Sequence, residues 1–142
     1  MRTFYVFSVN NEFKNLTKNN SISLFETFDK IHFLINSNFD LAYNLFDTVI
    51  CNINKSNKNK YLYLKNKDNL FYTYNNYYHQ IYDYYNNENT KIRVLNTYIK
   101  IDTNVDFPNV IKDLTTYDNL FVCDFENKDY FWLSDIYNLV VA

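Results

Sequence analysis

The chain has 142 residues, of which 47% are hydrophobic and 21% charged, with a formal net charge of −2. That length suits one core and excludes two ordinary domains. The charge excludes the basic field that direct nucleic-acid binding needs, and no apolar run reaches the roughly 18 residues of a membrane span.

Glycine is absent, and proline occurs once, at Pro108. Glycine-rich phosphate loops and nucleophile elbows are therefore excluded. Turns that need positive φ are expected to use Asn or Asp, the non-glycine residues that tolerate it best. The scarce residues, Gly, Ala, Arg and Pro, share GC-rich codons. The Asn, Lys, Ile, Tyr and Phe surplus is read as that bias and not as a prion-like signal.

In chain order, "TFYVFSV", Thr3 to Val9, is dense in β-branched and aromatic residues and predicts a first strand. A helical turn is expected from Glu12 to Leu16, with Phe13 and Leu16 on one side. Ser23-Leu24-Phe25-Glu26 has the form of a capping box. Behind it Leu24, Phe25, Phe28, Ile31 and Ile35 recur at helical spacing, which predicts a helix from Ser23 to about Asn36. Leu41, Ala42, Leu45, Phe46 and Val49 give a second helical pattern, ended by the polar tract Asn52 to Lys60.

Tyr61 to Lys65 and Leu70 to Tyr74 are expected to form a hairpin around Asn66 to Asn69. Tyr77, Tyr78, Ile81, Tyr82 and Tyr85 fit one helical face, and a Tyr-rich loop fits almost as well. "KIRVLNTYIKI" predicts a hairpin turning at Asn96-Thr97. Val105, Val110, Ile111 and Leu114 suggest a helix, with Thr103 to Asp106 resembling a cap. Leu120 to Phe125 and Tyr130 to Leu133 supply the last two strands. The sum is a single α+β domain, with a mainly antiparallel sheet and helices packed on one face.

Few residues offer chemistry. The two cysteines, Cys51 and Cys123, lack metal spacing and are expected to be reduced and buried. Cys123 alternates with Phe121 and Phe125 on one strand face, which suits a small buried hydrophobe better than a nucleophile. Asp124 precedes the polar segment Glu126 to Asp129 and is expected to order a turn; acid/base work is the alternative. His32 lies near a helix face, and His79, in a Tyr-rich stretch, is expected at the surface. No cofactor or metal is implied. With no export signal in "MRTFYVFSVNNEF", a cytoplasmic location is expected.

Two runs, "FYVFSVNNEFKN…SISLFETF" and "NLFVCDFENKDYFWL", resemble the SirA family, the sporulation inhibitors of DNA replication. The shared features are Glu12-Phe13 after an aromatic strand, the L-F-E-x-F pattern of Leu24 to Phe28, then Asp124-Phe125 and Tyr130 to Leu133. They cover roughly the first 30 and last 35 residues of the chain. The resemblance implies one SirA-like domain over residues 1–142 and a monomeric protein without catalytic activity. It also implies binding to the N-terminal domain of the replication initiator DnaA, without direct contact to nucleic acid or membrane.

The family's contact patch surrounds the first helix. Its inserting aromatic matches Phe13, and a second family aromatic falls at Thr17, a departure that Leu16 offsets with apolar area. A polar contact falls around Tyr43 to Phe46, with Tyr43 the expected residue. From the residues alone, Phe13 is either an exposed anchor or a staple against the core. Two alternatives stand beside the initiator: an interaction module of the same fold with another partner, and a small enzyme using Cys123 or Asp124.

Overall fold

The first strand, β1 (Arg2–Ser8), lies in the interior of the sheet and feeds both of its faces. It pairs antiparallel with β5 (Ile99–Thr103) on one side and with β6 (Leu120–Asp124) on the other. β2 (Tyr72–Tyr74), β3 (His79–Asp83) and β4 (Glu88–Val94) extend the sheet beyond β5, and β7 (Asp129–Trp132) extends it beyond β6. The order is β2-β3-β4-β5-β1-β6-β7, seven strands with every pairing antiparallel. The computed structural model describes residues 1–17, 19–34, 44, 47–114 and 119–135.

Side chains alternate across a strand, so β1 feeds two cores. Phe4 and Val6 join Ile92, Ile101 and Val122 on one face, where α3 (Lys55–Asn66) and α4 (Val110–Asp113) add Leu62, Val110 and Ile111. Phe7 joins Phe121, Cys123 and Trp132 on the other face, under Leu24, Phe25, Phe28 and Ile31 of α2 (Ser21–Leu34). Helices therefore lie on both faces, not on one. A central strand with two apolar faces requires a cover on each side. Each fully buried large side chain contributes about 1.5–3 kcal/mol. Phe7 and Phe28 stack at 4.1 Å with an interplanar angle of 6°, which locks α2 onto the sheet.

Most predicted elements hold: β1, α1 (Asn11–Leu16), α2, the β4–β5 hairpin and the β6–β7 hairpin. α2 begins at Ser21, so the Ser23–Glu26 box lies inside the helix and does not set its start. The expected hairpin from Tyr61 is overturned. Asn54 caps α3 by accepting from the Asn57 amide at 3.1 Å, and the helix runs through Tyr61 to Asn66. The Tyr77–Tyr85 stretch is a turn and strand, because Asn75 Oδ1 accepts from the amides of both Tyr77 and Tyr78 at 3.0 Å and turns the chain into β3. α4 is a single turn, shorter than expected, and Thr103 belongs to β5. Ile35, Leu41, Ala42, Tyr43, Leu45 and Phe46 lie outside the described residues.

Candidate functional site

α1 is an unusual helix, since none of its six residues is buried. A helix this short is not stable by itself, so tertiary bonds must hold it. The extended end of β1 supplies the base: Val9 bridges Ile50, the Val9 amide donates to the Asn119 carbonyl at 2.9 Å, and the Cys51 amide donates to the Ser8 carbonyl at 2.7 Å. Asn10 then caps the helix, its Oδ1 accepting from the Phe13 amide at 2.8 Å while its Nδ2 donates to the Thr48 carbonyl at 2.7 Å. Asn119 clamps the next turn. Its Nδ2 donates to Asn11 Oδ1, and its Oδ1 accepts from Lys14 Nζ at 2.9 Å. The same ammonium stands 5.7 Å from the Trp132 ring.

Of the expected contact residues, Leu16 is the most open, 72% exposed. Phe13 is half-buried and packs at the margin of the α2-side core, so it is partly staple and partly surface. The hydroxyl of Thr17 donates to the Phe13 carbonyl at 2.7 Å, and the Thr17 amide donates to the same carbonyl at 3.0 Å. Thr17 therefore closes the helix and offers little apolar area. Tyr43 lies outside the described residues. Sequence reasoning missed Asn10, Lys14 and Asn119. Asn10 was legible as a cap residue before a short helix, whereas nothing local marks Asn119, 105 positions from Lys14.

The residues weighed for chemistry are otherwise employed. Cys123 is fully buried beside Phe121 and Trp132, and burial, with the Asp29 charge adding to it, pushes its thiol well above the ordinary value. Cys51, expected buried, is exposed, following the bridge of Ile50 to Val9 beyond the end of β1. Asp124 orders the β6–β7 turn as expected: its Oδ1 accepts from the Asn127 amide at 3.1 Å and its Oδ2 from Asn127 Nδ2 at 2.7 Å. It is also paired with Arg2, whose fork reaches the Asp129 carboxylate and the Asp106 carbonyl.

His32 is half-buried and stacks on Phe125 at 4.6 Å. Burial pushes its pKa down, against the pull of Asp29 and with a further push from Lys100. His79, expected at the surface, is 1% exposed, because α3 covers its strand. Its Nε2 lies 2.9 Å from Asn59 Oδ1 and its Nδ1 2.5 Å from the Tyr72 hydroxyl. With a carbonyl oxygen on one side, Nε2–H donates to Asn59 and Nδ1 accepts from Tyr72, a neutral ring with both nitrogens used. Among the described residues no three His, Cys, Asp or Glu side chains converge to hold a metal. Likewise, no described helix is long and apolar enough to cross a membrane.

No protein-family model matches the chain, and no curated protein matches it.

Proposed function

We propose that this chain is a non-catalytic binding module that docks through α1 onto the N-terminal domain of the replication initiator DnaA, restraining initiation in a sporulating cell. The observation that carries this reading is the mounting of α1. A helix with no buried residue is fixed by Asn10, Lys14 and Asn119, while Leu16 stands 72% exposed beside the half-buried Phe13. Polar anchors on the underside and apolar side chains at the rim suit a preorganised contact, where one or two apolar residues supply most of the affinity. The resemblance of the two terminal runs to the SirA family supplies the identity of the partner, a monomeric mode of action and a cytoplasmic setting.

Thr17 favours a second reading. Where the family carries an aromatic, this hydroxyl is committed to the Phe13 carbonyl, which suits an interaction module whose partner has changed.

Titration calorimetry against the initiator's N-terminal domain separates the two. On the first reading the wild type binds saturably. Leu16→Asp lowers affinity about a hundredfold, an effect of hot-spot size, with no change in melting temperature. Phe13→Ala lowers both affinity and stability, because its ring also packs on the core. No heat at high micromolar concentrations of both proteins leaves the fold with another partner.

A further inference from the structure

On the face of the sheet that α2 covers, the buried apolar cluster of the described residues draws its strand members from β1, β6 and β7. Beyond β1 the register places Arg93 of β4 directly opposite Lys100 of β5, and Lys91 opposite Asp102. Residues two apart on a strand share a face, so Lys91, Arg93 and Lys100 form one cationic patch. Lys91 and Arg93 are exposed, and Lys100 is half-buried. Asp102, the one acid in that register, accepts a hydrogen bond from the Thr3 hydroxyl at 2.7 Å.

Like charges directly opposite each other across an antiparallel pair are destabilising. The Arg93–Lys100 pair is therefore a cost to the fold, and among the described residues no hydrogen bond or ion pair of Arg93 offsets it. The contrast with Arg2 is direct. These are the only two arginines of a lysine-rich chain; Arg2 is held by three acceptors, and Arg93 is exposed. Tyr78 frames the patch, its ring 5.1 Å from Lys91 Nζ.

We propose that this open sheet face docks a carboxylate-rich segment of a protein partner, with the Arg93 guanidinium as the central contact. A planar fork between two ammonium groups suits side-chain carboxylates, which it takes in pairs of parallel hydrogen bonds. An acidic protein segment fits better than a nucleic acid. The protein's net charge is −2, Asp102 shares the register, and three cations make too short a track for a phosphate backbone. The surface is separate from α1, which Lys14 ties to Asn119 and Trp132 on the β6–β7 side.

The test is fluorescence anisotropy with a labelled oligo-glutamate peptide and a mixed-sequence single-stranded oligonucleotide of equal charge. The wild type is expected to bind the peptide saturably and more weakly as salt rises. Arg93→Glu is expected to lower that affinity about tenfold or more. This variant places a carboxylate opposite Lys100, so it keeps the fold, and an undiminished melting temperature shows that lost binding is not unfolding. Arg93→Gln is expected to raise the melting temperature by relieving the repulsion. The proposal is overturned by absence of saturable peptide binding at millimolar concentration, by equal binding of Arg93→Glu, or by tighter binding of the oligonucleotide. A fall in melting temperature for Arg93→Gln overturns it too, since Arg93 is then a structural residue.

Discussion

Arg2 Nε donates to Asp124 Oδ2 at 2.6 Å, joining the first residue of β1 to the last residue of β6 across 122 positions of sequence. Asp124 is 1% exposed, and Arg2 also reaches Asp129 on β7, so one guanidinium ties three strands together. Removing a charged partner from a buried carboxylate leaves it under-satisfied. Arg2→Met is expected to cost about 2–3 kcal/mol in urea unfolding.

The pH dependence of that difference follows from the carboxyl. Burial pushes the Asp124 pKa up, but the hydrogen bonds from Asn127 and Arg2 outweigh it and hold the group below its ordinary 3.8. A depressed carboxyl pKa stabilises the fold above the unfolded value and stops doing so as pH falls through the folded one. The gap between wild type and Arg2→Met should therefore be widest above 3.8 and narrow below it. A gap that stays constant into acid would show that Arg2 acts through packing on Phe4, whose ring lies 4.5 Å away.

His79 sets a second pH dependence, of opposite chemical origin. Burial lowers its pKa from 6.5 to about 4. Between those values the unfolded chain binds a proton that the folded one refuses, so acidification favours unfolding. The stability that neutral His79 provides is intact above 6.5 and is lost progressively down to about 4. His79→Gln removes the titration. It should be less stable than wild type at neutral pH by about 1–2 kcal/mol, because Tyr72 and Asn59 lose well-placed partners. Its unfolding midpoint should change less between pH 6.5 and 4 than that of the wild type. Parallel curves for the two proteins would mean that His79 is protonated in the fold.

The contrast between α2 and α3 explains what the sequence made visible. Leu24, Phe25, Phe28 and Ile31 give α2 an apolar stripe at helical spacing, and all four are buried. The buried line of α3 is Lys58, Leu62 and Asn66, with one apolar residue in three, so its period is invisible to any hydrophobic pattern. Asn66 fits there only because Nδ2 donates to the Leu62 carbonyl at 2.9 Å and toward Asp113 at 3.3 Å, partners that the sequence does not announce. His79 was misplaced for the same reason: with α3 unrecognised, nothing remained to cover β3. The α1 region was legible as a turn bearing Phe13 and Leu16. Its fastening to Asn119 and Trp132 was not, since both lie more than a hundred residues away.

Backbone conformation offers a test that depends on no partner. Without glycine, the chain places three other residues at positive φ among the described ones: Asn76 at 73°, Asn87 at 53° and Lys128 at 54°. Asparagine tolerates this region, as the composition led one to expect, but lysine does not. Lys128 ends the turn between β6 and β7, where Asp124 receives both bonds from Asn127 and fixes the local geometry. The strain of a side chain at left-handed φ is about 1–2 kcal/mol per residue, and glycine is free of it. Lys128→Gly should therefore raise the unfolding free energy by about 0.5–1 kcal/mol, after allowance for the greater entropy of glycine in the unfolded chain. Asn87→Gly should gain less, since asparagine carries less of the strain to begin with. A loss of stability in Lys128→Gly with a gain in Asn87→Gly would show that the Lys128 side chain itself holds the β6–β7 turn.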